Sequence, residues 1–255
     1  MYNQTKPTLG NRWIYRFEYS VGFHVGLCTH IGSMRRRYVN RERDKLKIMV
    51  SSTVYGIEEL LDRVYTLLTS FGYEVWMSHK GTVPVFSNRT AFENCLQAVE
   101  DCDLFLGIIT TNYGSGQNPE DPSSLSITHQ EILKAIDLNK PRWLLAHENV
   151  VFARSLLNNL GYRGKTGRKE LKLKKNQVFT DLRIIDLYEA ATINLESSDP
   201  VPLEERKGNW VQKYHSNNDG LLFTSSQFFR YQEVEEFIRE NFQDREQFRN
   251  NGGTS

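Results

Sequence analysis

Cysteine is scarce in this chain: three among 255 residues, Cys28, Cys95 and Cys102. So odd and sparse a set is no disulfide framework and has no metal-ligand spacing, so a reducing compartment is expected. An excess of one charge is also missing. The 32 Lys and Arg against 31 Asp and Glu leave +1, which gives no global argument for nucleic acid or a membrane surface. Long apolar runs are absent too. The nearest approach, "WIYRFEYSVGFHVGLCTHIG", is broken by Arg16, Glu18, His24 and His30, too often for a membrane span or a signal core. Neither a membrane nor nucleic acid is therefore an expected partner, and the expected location is cytoplasmic. The six histidines show no zinc spacing. No nucleophile elbow or catalytic-cysteine signature occurs. "GKT" at 164–166 lacks the glycine five positions earlier, where Asn159 stands, and the leading strand that a phosphate-binding loop requires.

What is present is the composition of a soluble globular protein, 39% hydrophobic and 25% charged. Residues 1–44 stand apart as an N-terminal extension. They mix aromatics with glycines and end in the basic "MRRRYVNRERDK", read as a solvated leader. Met34 is a candidate natural start. From residue 45 the pattern becomes regular. "LKIMV" (46–50) is a short apolar run of the kind buried on both faces of a sheet. Ile57, Leu60, Leu61, Val64 and Leu68 then recur at helical spacing, with Gly72 as a stop. "YEVWM" (73–77) reads as a second strand, and Phe92, Cys95, Leu96 and Val99 share a helical face. "DLFLGIIT" (103–110) is the third and most apolar strand. After the polar "TNYGSGQNPEDPSS", a helix carries Ile132, Ala135 and Ile136, and "NKPRWLLAH" restarts a strand after Pro141.

Strands alternating with helices predict an α/β fold, a doubly wound, flavodoxin-like parallel sheet over 45–148, with strands near 46–50, 73–77, 103–109 and 142–146. Residues 149–245 read as a mostly helical extension packing on that core, closed by "FRYQEVEEFIRENF" with Tyr231, Val234, Ile238 and Phe242 on one side. Within it, 163–175 carries seven Lys and Arg against one Glu and is read as a solvated loop. The tail 246–255 is expected to be disordered.

In such a sheet, ligands bind at the carboxyl ends of the strands, where the strand order reverses. That place lies between the first and third strands. The first ends in Ser51-Ser52-Thr53 and the third in Thr110-Thr111-Asn112-Tyr113, so two hydroxyl-rich loops converge on one crevice. Hydroxyls, together with the amides opening the first helix, suit phosphate or ribose. Helix capping is the alternative role for the same residues. Tyr55, Trp76 and Tyr113 are candidates to stack on a base, or else core. In "SITHQEILKAIDLNKP", Glu131 lies about a turn inside its helix, beside the apolar stripe and near the strand ends. His129, two residues away, is expected on a different, exposed face.

Together, "IMVSST" with its following helix, "CLQAVEDCDLFLGIITTNYGS" and "SITHQEILKAIDLNKP" resemble a family of uncharacterised bacterial domains. These are often fused in front of STAND-type NTPases or helical repeats, in proteins thought to act in defence or signalling. That family is similar to TIR domains and nucleoside 2-deoxyribosyltransferases. The resemblance implies a TIR-like fold and places the catalytic glutamate of both groups on Glu131. It matches Asp103 to the aspartate that opens an apolar strand in the transferases. No Trp-Cys pair precedes the glutamate here, and the loop before it is long, which departs from the TIR pattern. The implied activity is cleavage of an N-glycosidic bond in a nucleotide, NAD among the candidate substrates. No cofactor is implied. Glu131 is the catalytic candidate, and Ser51, Ser52, Thr53, Tyr55, Asp103, Thr111, Asn112 and Tyr113 are the binding candidates. A carboxylate suits this chemistry because the ribose passes through an oxocarbenium-like state. The rival expectation is a non-catalytic interaction or nucleotide-sensing module, partnered by a protein or by a second copy.

Overall fold

A computed structural model describes residues 45–116, 123–174, 178–192, 210–231 and 233–236. The expectations for the N-terminal extension, the far end of the closing helix and the tail fall outside these residues. Those described lie in one compact unit.

Five strands form one parallel sheet in the order β2-β1-β3-β4-β5. They are β1 (Lys47–Ser52), β2 (Glu74–Trp76), β3 (Leu104–Ile109), β4 (Arg142–His147) and β5 (Val211–Tyr214). Every pairing is parallel, so each connection must cross a face of the sheet, and helices make the crossings. The helices are α1 (Glu58–Ser70), α2 (Ala91–Asp101), α3 (Ile127–Asp137), α4 (Glu148–Asn159), α5 (Gly164–Arg168), α6 (Arg183–Thr192) and α7 (Asn217–Phe228). The sheet is α/β and doubly wound, as the alternation of runs and stripes predicts.

The period of two along each strand splits the core into two layers. Ile48, Val50, Leu104, Leu106 and Ile108 join Leu60, Leu61, Val64 and Leu68 of α1, with Phe228 of α7. Met49, Phe105, Ile109, Leu144 and Ala146 join residues of α2, α3, α4 and α6. Ser51, two positions after Met49, therefore points towards α2 and α3.

The described part of 149–245 is not helical throughout, because β5 pairs parallel with β4 and extends the sheet. As an edge strand of four residues it carries Gln212 and Lys213 and never shows the apolar run that marks a central strand. The basic run 163–175 is not all solvated loop either. Arg168, at the end of α5, is buried, with Nη2 2.6 Å from Asp186 Oδ1 and 2.5 Å from Glu189 Oε2.

Candidate functional site

The hydroxyl loops after β1 and β3 do meet, and they bond to each other. The register sets Ser51 beside Gly107 and Ser52 beside Ile108. Beyond it, Thr53 Oγ1 and Thr110 Oγ1 lie 2.5 Å apart. Ser52 Oγ donates to the Ile108 carbonyl at 3.0 Å, and Asn112 Nδ2 donates to the Tyr55 carbonyl at 2.8 Å. Helix capping is not their role. The N-cap of α1 is Ile57, with no side-chain cap bond. The crevice is thus stitched shut, leaving beside Thr53, Thr110, Asn112 and Tyr113 a cavity of about 10 Å³, room for one water at most.

Glu131 lies just beneath this seam. Helix α3 opens at Ser126, whose Oγ accepts the His129 amide at 3.3 Å, so Glu131 falls in the second turn, against the sheet. Its close approach depends on Gly107. A Cβ there would stand 2.7 Å from Leu144 Cδ2 and 3.4 Å from Ile132 Cγ1. With no side chain at 107, α3 settles onto β3, and Glu131 reaches the neighbouring strand. Ser51 Oγ donates to Glu131 Oε2 at 2.5 Å, and both residues are buried, Glu131 to 5% exposure. The Cys95 thiol, from α2, also bonds to this carboxyl. Burial pushes the carboxyl up from 4.5 to about 7, against the opposing pull of the Ser51 and Cys95 bonds. A carboxyl poised there exchanges its proton at neutral pH, as a general acid or base must. Burial and the neighbouring Glu131 push the Cys95 thiol up to about 11, so it is a donor to the glutamate and a poor nucleophile at neutral pH.

The remaining candidates divide. Asp103 is at the opposite edge of the sheet. Its Oδ2 accepts the Lys47 amide at 2.8 Å, and its own amide reaches the Lys47 carbonyl at 2.9 Å. The length of β3, about 20 Å at 3.3 Å per residue, separates it from Thr110. It pins strand starts together and does not join the crevice. Tyr113 is buried: its hydroxyl bonds His129 Nδ1 at 2.8 Å, its amide donates to Thr180 Oγ1 at 2.8 Å, and the Arg183 guanidinium lies 4.7 Å over its ring. Trp76 is buried too, under Lys47 Nζ at 5.3 Å. Of the three candidate aromatics, Tyr55 alone has an open face, at 72% exposure. Thr111 sits half-buried in the seam, its carbonyl accepting the Thr180 amide at 3.4 Å.

His129 is not exposed as expected. It does lie on another face of α3 than Glu131, but α6 covers that face. Burial and the nearby Arg183 and Lys165 push its imidazole down to about 4, so it is neutral. Cys95 and Gly107 went unnoticed as site residues. For Gly107 a signal exists, since a glycine inside an apolar strand marks a close approach. For Cys95 there is none. Among the described residues no group of three or more His, Cys, Asp or Glu is placed to hold a metal, and no helix is long and apolar enough to cross a membrane.

No curated protein matches the chain. A family model described as a domain of unknown function, DUF4062, matches residues 47–192, from the first residue of β1 to the last of α6. This span holds more than half of the chain, including Ser51, Gly107 and Glu131, and the chain therefore belongs to the DUF4062 family.

Proposed function

We propose that this domain is a relative of TIR domains and nucleoside 2-deoxyribosyltransferases that cleaves the N-glycosidic bond of a nucleotide, NAD among the candidates, in a defence or signalling setting. The observation that carries the reading is the buried Glu131 carboxyl at the carboxyl ends of β1 and β3, raised to about 7 and held by Ser51. In this reading the carboxylate stabilises the cationic ribose as the base departs, or traps it covalently. A positively charged group arriving beside it favours the ionised form. Entry of the ligand requires the seam to part. The Thr53–Thr110 and Asn112–Tyr55 bonds are neutral and contribute about 1 kcal/mol each, so their exchange for bonds to ribose and phosphate is thermally accessible. Tyr55 then offers an open ring for stacking.

The closed seam favours a second reading, a nucleotide-sensing or interaction module without turnover. One experiment separates the two. The purified protein is incubated with a panel of nucleotides, and released bases are read by mass spectrometry, with Glu131→Gln in parallel. Base release that disappears in a folded Glu131→Gln supports cleavage. Turnover unchanged in that variant rules out the mechanism. Binding without release by the wild type favours the sensing module.

A further inference from the structure

One helix turns a hydrophobic face outward. Along α4, Phe152, Leu156 and Leu160 follow at intervals of four and are 67%, 45% and 62% exposed, although only Val150 of that helix is buried. Residues four apart share a helix face, so these three form one stripe about 12 Å long. A cleft of about 400 Å³, lined in part by Glu148, Phe152 and Lys213, adjoins its first turn. Soluble surfaces seldom carry such a contiguous stripe unless something covers it.

We propose that this face of α4 is a twofold interface that joins the chain to a second copy of itself, the two helices lying antiparallel. The stripe is self-complementary. With the axis at Leu156, that residue meets its own copy, and Phe152 of each copy falls against Leu160 of the other. The same operation sets the first turn of one α4 against the end of the other. Charge agrees with this pairing. Glu148 opens the helix with its side chain 35% exposed, although it also bonds His215. Just past Leu160 the chain turns at Gly161, with φ at 93°, and Arg163 follows, exposed and with no ion-pair partner among the described residues. An antiparallel pair thus brings Glu148 of each copy to Arg163 of the other and sets opposite helix dipoles side by side. The contact is one face of a three-turn helix, smaller than the roughly 800 Å² per partner of a stable interface. Interfaces of standard size begin at about micromolar affinity, so this smaller one is expected to dissociate on the order of 10–100 µM, which suits assembly that responds to local concentration.

The test is analytical ultracentrifugation of the full chain across that concentration range. The wild type should pass from monomer to dimer. Phe152→Glu should stay monomeric, with an unchanged melting temperature at about 1 µM, where the wild type is monomeric as well. Glu148→Lys or Arg163→Glu alone should weaken the dimer about tenfold at low salt, and the two together should restore it. A wild type that stays monomeric throughout overturns the proposal, as does a dimer that tolerates Phe152→Glu. A fall in the melting temperature of Phe152→Glu at about 1 µM, where both proteins are monomeric, overturns it as well, by showing that the chain itself covers the stripe. Failure of the paired charge swap to restore the dimer overturns the antiparallel arrangement.

Discussion

Replacing Glu131 by glutamine should change the pH dependence of folding in a specific direction. The carboxyl has an ordinary value of 4.5 and is raised to about 7 in the folded chain. Between those limits the folded state holds a proton that the unfolded state has released. Stability from this group is therefore complete below about 4.5 and is lost as pH rises through about 7. At about 1.4 kcal/mol per pH unit, the whole loss is about 3 kcal/mol. Glutamine keeps an acceptor for Ser51 but has no proton to lose. At pH 4.5 the variant should be slightly the weaker, by about 1 kcal/mol, for its less favourable contact with Cys95. At pH 8.5 it should be the more stable, by about 2 kcal/mol, and the two profiles should cross. Urea unfolding of both proteins at half-unit pH intervals measures this directly, since every other titrating group cancels in the difference. Parallel profiles would refute the reasoning, because they would mean that Glu131 titrates alike in the folded and unfolded states.

Gly107→Ala should cost about 1–3 kcal/mol, read as a lower urea midpoint, because the new Cβ would stand 2.7 Å from Leu144 Cδ2 with sheet and helix on either side. It should also weaken the Ser51–Glu131 bond, visible as a displaced Glu131 carboxyl resonance. Arg168→Ala should cost about 3 kcal/mol, since it leaves Asp186 without this partner and Glu189 with Arg154 alone; a loss below about 1 kcal/mol would show that the network is solvated. Asp103→Asn should lower stability by about 1–2 kcal/mol through the weakened Lys47 bond while leaving any base release unchanged, and a selective loss of turnover would return Asp103 to the site.

The parts of the fold that were legible are those in which burial and hydrophobicity coincide. β1, β3 and β4 are covered on both faces and read as apolar runs, and every predicted contact residue of α1 is buried. Helix α7 was missed for the opposite reason. Its buried positions are Gly220, Thr224 and Phe228, spaced by four but mostly small. Gly220 is there because α1 lies so close: a Cβ would stand 3.3 Å from Leu60. Close packing of small residues leaves little trace in a hydrophobicity pattern, and the edge strand β5 leaves little for the same want of apolar side chains.

At the site, residue types and their convergence were legible, but the choice of partners was not. A serine or threonine at a strand end bonds equally well to a ligand, to a helix amide or to another hydroxyl, because each offers one donor and two acceptor lone pairs. Only the distance between strands decides, and here β1 and β3 are neighbours, so Thr53 finds Thr110 first. Glu131 follows the same logic. Its place on α3 is readable from helical spacing, but its burial depends on a missing side chain on another strand and on a thiol from another helix. The closed seam therefore comes from the adjacency of β1 and β3, and the poised carboxyl beneath it from close packing of α3 on the sheet. Anything that opens the seam admits solvent or ligand to Glu131, removes the burial that raises its carboxyl and returns it towards its ionised form. Access and charge at this site rise together.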